Sequence, residues 1–181
     1  NKKGSTMILL VIVISLLMLL GSSVLNIAVK QYEIKRFNLD SKRSFYLSER
    51  GLNETYVKSC DLIDESIMKA LERSEDFMSV SSLNEIEAEK TFALNYMMNI
   101  RTNIENSIEA AANPSVKVWN DDSLVFIDDN LTVILKSSYM HESSGFKVTG
   151  VEMIISVPAF NDVSDGIYNV KDYIEFRNWN S

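Results

Sequence analysis

Ser5-Thr6-Met7-Ile8-Leu9-Leu10-Val11-Ile12-Val13-Ile14-Ser15-Leu16-Leu17-Met18-Leu19-Leu20-Gly21-Ser22-Ser23-Val24-Leu25-Asn26-Ile27-Ala28-Val29 is a run of 25 residues without a charged side chain, and fifteen of them are Leu, Ile or Val. As an α-helix the run would extend about 37 Å at 1.5 Å per residue, enough to cross the hydrocarbon layer of a bilayer. Lys2 and Lys3 precede it. A basic start followed by an apolar stretch also describes a secretory signal, with Gly21-Ser22-Ser23 as the small-residue cleavage site. The apolar character continues past Ser23 to Val29, where a mature secreted chain would turn polar, and this favours an anchor that stays attached.

The rest of the chain reads as one compact domain. Its 181 residues hold one cysteine, Cys60, and one histidine, His141, so neither an internal disulfide nor a His/Cys zinc cluster can support it. Net charge is −7, unevenly spread. Residues 30–43 contain five basic and two acidic side chains, which with Lys2 and Lys3 makes the first 43 residues +5 and leaves −12 for residues 44–181. So acidic a domain is not expected to bind nucleic acid.

No glycine or proline occurs from Leu52 to Asn113, as a mainly helical stretch requires. Phe45, Leu52, Tyr56, Cys60, Ile63, Ile67 and Leu71 recur at helical spacing and predict a buried stripe. Ser82 followed by Glu85 has the spacing of a capping box. The second helix it would open has Leu83, Ile86, Ala93, Met97, Ile100, Ile104 and Ile108 as its apolar face and ends at Asn113-Pro114. Alternation then replaces helical spacing. Candidate strands cover 116–119, 124–127, 131–139, 151–157 and 168–176, and their short polar links require antiparallel neighbours. The expected fold class is α+β: a long N-terminal helix continuing into a stalk, a second helix, then an antiparallel meander. Segment boundaries are expected at 1–4, 5–29, 30–80, 81–113 and 114–181.

Lys2-Lys3-Gly4-Ser5-Thr6-Met7 resembles the junction of type IV prepilins, in which basic residues and a glycine precede a long apolar helix. Arg43-Ser44-Phe45-Tyr46-Leu47-Ser48-Glu49-Arg50-Gly51-Leu52-Asn53 is similar to the stretch that ends the N-terminal region of PilX-type minor pilins. The shared order of features covers about residues 1–55. The resemblance implies cleavage between Gly4 and Ser5 by a prepilin peptidase, and a helix running through Met7, Leu16, Gly21 and Val29 that serves first as membrane anchor and then as filament core. It implies other pilins or minor pilins as partners, and a single-pass membrane protein whose acidic domain faces outward and later stands on the cell surface. Two departures matter. Ser48 and Arg50 replace the family's alanines, and Leu9 stands where major pilins carry the glutamate that neutralises a neighbour's N-terminal amine. A subunit at a filament tip has no such neighbour, while a plain membrane helix also needs no glutamate at Leu9. Positive-inside counting, with two cations before the run and five after it, argues for the opposite orientation.

Few residues invite chemistry. His141 lies in a turn with no nucleophile assignable to it by spacing, so no enzyme is expected. Asn161-Asp162-Val163-Ser164-Asp165-Gly166 alternates oxygen donors, and Asp162 with Asp165 is a weak calcium candidate. It lacks the length and distal glutamate of an EF-hand loop, which favours a plain turn and no cofactor.

Overall fold

A computed structural model describes residues 2–80, 85–120, 124–141 and 145–180. The fold is α+β: helices α1 (Lys2–Val80) and α2 (Glu85–Ile108) precede an antiparallel sheet of β1 (Ser115–Val118), β2 (Phe126–Ile127), β3 (Asn130–His141), β4 (Gly145–Ser156) and β5 (Ile174–Asn180). A short helix α3 (Phe160–Ser164) and a 3-10 turn (Val170–Tyr173) join β4 to β5. The chain divides into two compact units, Asn1–Lys42 and Arg43–Ser181.

Within the second unit the sheet runs in the order β1-β3-β4-β5, with β2 also on β3. Leu131, Val133 and Leu135 face Ile155, Met153 and Val151 across the β3–β4 ladder, and all six are buried on one face of the sheet. Alternation follows from the pleat, which sends every second side chain to the same side. Asp128 and Asp129, with φ of 48° and 59°, form the two-residue turn between β2 and β3. Positive φ at both central positions is what a tight hairpin needs to match strand twist.

β1 is held at the edge of β3 by two asparagine side chains as well as by its own ladder. Asn113 donates to the Met140 carbonyl at 2.9 Å and accepts from the Met140 amide at 3.2 Å. Asn120 donates to the Thr132 carbonyl at 3.1 Å and accepts from the Ile134 amide at 2.8 Å. Each carboxamide thus imitates one peptide group of a longer strand.

The helices cover the buried face, but not through all the residues that their apolar spacing predicts. On α1, Leu52, Ile63 and Ile67 are fully buried, whereas Phe45, Tyr56, Cys60 and Leu71 lie at the margin, half-buried. The centre of the buried face is instead Ser44, Ser48, Gly51, Thr55, Ser59, Ser66, Ala70 and Ser74. Small side chains let the helix approach closely, and several of their hydroxyls find partners. Thr55 donates to Gly51, Ser59 to Thr55 and Ser74 to Leu71, all to backbone carbonyls one turn back at 2.8–2.9 Å. A satisfied hydroxyl avoids most of the cost of burial.

On α2 the buried residues are Ala88, Phe92, Tyr96, Ile100, Ile104 and Ile108, a strict step of four. Ile86 is exposed, contrary to the expected stripe, and Ala93 and Met97 are half-buried. A step of four outruns the 3.6-residue turn, so the buried stripe drifts around the helix by about 40° per step. Its two ends therefore meet different neighbours. Phe92 packs on Phe160 of α3 with ring centroids 5.7 Å apart, while beyond Ile108 the chain bridges back from Ala110 to Val116 of β1. That bridge ends α2 before Asn113-Pro114, the expected stop. The Leu83 and Ser82 readings lie outside the described residues.

The final strand also departs from expectation. Tyr168 to Phe176 alternates in sequence, but Val170–Tyr173 closes a 3-10 turn capped by Asn169, whose side chain accepts from the Lys171 amide. Asp172, the residue that broke the alternation, sits in this turn.

Candidate functional site: the exposed apolar helix

The first unit consists of the first 42 residues, helical from Lys2. Every described side chain from Thr6 to Asn38 is exposed, including Met7 at 71%, Leu9 at 64% and Leu25 at 67%. Among the described residues, α1 is the one helix long and apolar enough to cross a membrane. So much exposed aliphatic surface is unstable in water and needs an apolar surrounding.

Three serines of this stretch are compatible with such a surrounding. Ser15 donates to the Val11 carbonyl at 2.8 Å, and Ser22 and Ser23 both donate to the Leu19 carbonyl at 3.2 and 2.8 Å. Their hydroxyls are satisfied within the helix, the condition that lipid imposes on every polar group. A Cβ on Gly21 would meet nothing within 4 Å, so this glycine leaves an open notch in the helix surface beside Ser22. Leu16 and Val29 are exposed like their neighbours. Gly4 and Ser5 lie in the helical backbone of α1. A single-pass membrane anchor is consistent with all of these features.

Leu9 sits in this apolar surface with no acidic residue near it in sequence. Ser48 and Gly51 lie elsewhere, at the crossing of α1 and the sheet in the second unit. Ser48 Oγ is 2.6 Å from Thr149 Oγ1 of β4 and also donates to the Phe45 carbonyl. Arg50 is exposed and pairs with Glu54 one turn on, at 2.8 Å. Ser48 therefore ties helix to sheet, a role that sequence spacing alone does not show.

The calcium candidate takes a different form from a ligand loop. Phe160–Ser164 is helical; the Asp165 amide donates to Asn161 O, Gly166 to Val163 O and Ile167 to Asp162 O. Gly166, at φ +69°, supplies the left-handed residue that ends the helix. Asp162 and Asp165 thus belong to a helical turn and its cap, with side chains exposed. Among the described residues no group of three or more His, Cys, Asp or Glu side chains is placed to hold a metal ion.

Burial raises the pKa of a few of the second unit's thiol and phenol groups. Burial pushes the Cys60 thiol up, the direction opposite to nucleophilic activation. Tyr96, whose hydroxyl donates to the Ser156 carbonyl at 3.1 Å, is pushed far above the usual phenol range by burial and then by Tyr173. Tyr168 is raised by burial and then by the Asp64 carboxylate, to which its hydroxyl donates at 3.2 Å. His141 ends β3.

Comparison with protein-family models, with curated proteins and with solved structures gave no match.

Proposed function

We propose that this chain is a minor pilin: a structural subunit, not a catalyst, that is cut between Gly4 and Ser5 by a prepilin peptidase and acts in the assembly, priming or tip of a type IV pilus. The observation that carries the reading is the division of labour along α1. Residues 6–29 present apolar side chains on all sides, and residues 44–74 bury a small-residue face within an acidic α+β unit. A helix apolar all round can exchange lipid for the helices of other subunits without changing its surface. Leu9 suits a position where no neighbouring amine needs a carboxylate, which is the condition at a filament tip. In this reading the second unit is extracytoplasmic.

A second reading rests on the same exposed apolar run, which a plain membrane anchor explains without any cleavage. On that reading the chain is an uncleaved single-pass anchor bearing an extracytoplasmic binding or sensing domain.

Terminal sequencing and intact mass, after expression with and without a prepilin peptidase, separate the two. A new terminus at Ser5 that needs both the peptidase and Gly4, and is lost in Gly4→Leu, supports the minor pilin. A leader left intact beside an active peptidase overturns it in favour of the uncleaved anchor.

A further inference from the structure

The apolar run ends at Val29, and Lys30, Tyr32, Lys35, Arg36 and Phe37 follow on the same helix, all exposed. At 100° per residue, Lys35 lies about 140° and Arg36 about 240° around the axis from Lys30. The three cations form a collar that encircles the helix, not a stripe along one side. Along the axis they span about 9 Å, and the farthest, Arg36, lies about 10 Å past the end of the apolar run, about one Debye length at 0.1 M ionic strength. Lys42 lies about 18 Å beyond Lys30, outside that range. Among the described residues neither Lys30 nor Lys35 has an ion-pair partner, and the Arg36 pair with Asp40 is long, at 4.0 Å.

We propose that Lys30, Lys35 and Arg36, with Tyr32 at the same level, bind anionic phospholipid headgroups at the edge of the membrane that holds the apolar run. Two partners have the required negative charge: a headgroup layer, or the acidic second unit of another copy. The collar decides between them. A single acidic neighbour meets one side of a helix, whereas a headgroup layer surrounds it and uses cations spaced around the full circumference. Tyr32, with an apolar ring and a polar tip, suits the same boundary. The inference rests on the run being embedded in a membrane. It is independent of cleavage after Gly4 and of which side the second unit faces, so failure of the processing experiment would leave it standing.

The test reconstitutes the full chain in vesicles of phosphatidylcholine containing phosphatidylglycerol and compares its association with spin-labelled forms of each lipid. A preference for phosphatidylglycerol of at least about fivefold is expected, because each basic residue near a charged surface contributes about that factor. Lys30→Gln, Lys35→Gln and Arg36→Gln combined should bring the ratio close to one, as should about 1 M salt, while Lys42→Gln should leave it unchanged. Unaltered Trp119 and Trp179 emission would show that the second unit is intact in each variant. A preference that survives the triple substitution, or is absent from the unsubstituted chain, overturns the proposal. So does a triple variant that keeps its lipid preference and instead loses cross-links between copies, since the collar would then serve an acidic neighbour.

Discussion

A Cβ placed on Gly51 of α1 would lie 2.5 Å from Ser137 Oγ of β3, closer than real Cβ atoms come to any neighbour. The glycine is therefore required by the close approach of helix to sheet, and not by backbone conformation. Pro114 bounds the other side, with ring carbons at 3.1 and 3.2 Å from the same point, so a Cβ that displaced the Ser137 hydroxyl would still press on the proline ring. In Gly51→Ala, helix propensity would stabilise by about 1 kcal/mol and overpacking would destabilise by about 1–3 kcal/mol. A net loss is expected, read as a lower urea midpoint at unchanged slope. Ser137 Oγ is buried without a hydrogen-bond partner among the described residues, so Ser137→Ala should be neutral or stabilise by about 1 kcal/mol. Combined with Gly51→Ala it should recover most of the loss. A stabilised Gly51→Ala protein would refute the close-approach account.

Ser48 and Thr149 form the second tie at this crossing. Ser48→Ala should destabilise by about 1–2 kcal/mol, because it leaves the buried Thr149 hydroxyl without its partner. Replacing both, with Ser48→Ala and Thr149→Val, should cost less than the sum of the single changes. Additive losses in that double-mutant cycle would mean that the two hydroxyls are not coupled.

The side chains of Asn113 and Asn120 should act locally. Asn113→Ala should lower hydrogen-exchange protection of the Met140 amide, and Asn120→Ala that of Ile134, with protection in the middle of the β3–β4 ladder retained. Each change should reduce stability by about 1 kcal/mol. Unaltered protection at both amides would show that β1 holds this edge without them.

Stability should fall at alkaline pH, with Tyr96 contributing. Its phenol is raised in the folded protein from the ordinary 10.0, so the folded state keeps a proton that the unfolded chain releases. The contribution is complete below about pH 10 and is lost as pH rises above it toward the folded value. Tyr56, Tyr168 and Tyr173 are shifted the same way, chiefly by burial. In Tyr96→Phe, unfolding followed by circular dichroism should depend less steeply on pH above about 10. At neutral pH the variant should lose about 1 kcal/mol with the bond to the Ser156 carbonyl. An unchanged alkaline profile would argue against a titrating role for Tyr96.

At Gly166, any side chain meets open space but must adopt a φ of +69°. Gly166→Ala should therefore cost about 1 kcal/mol through backbone strain alone. Because Asp162 and Asp165 belong to a helical turn and its cap, calcium should leave the melting temperature of the unsubstituted protein unchanged. A rise in melting temperature with calcium, lost in Asp165→Asn, would restore the ligand-loop reading.

The architecture was legible where periodicity is strong. The apolar run, the absence of glycine and proline from Leu52 to Asn113, and the alternation of β3 and β4 all follow from how each element disposes its side chains. The centre of the α1 face was not legible, because Ser44, Ser48, Ser59, Ser66 and Ser74 read as polar, and the hydroxyls of Ser48, Ser59 and Ser74 are satisfied by a partner distant in sequence or by carbonyls one turn back. Ile86 was misplaced because a stripe at steps of four is read as helical periodicity while its buried side drifts around the helix. The strand expected around Val170 failed because Asn169 caps a 3-10 turn, a local hydrogen bond that competes with alternation.

By itself the sequence determined that this chain carries an apolar helix able to span a membrane, because 25 uncharged residues need no tertiary contact to disclose their preference for lipid. It also determined the α+β order of elements. Only the tertiary structure decided which face of α1 is buried and why Gly51 must lack a side chain. Such answers depend on distances between atoms more than sixty residues apart, and hydrophobic spacing carries no record of where a hydroxyl will find its partner.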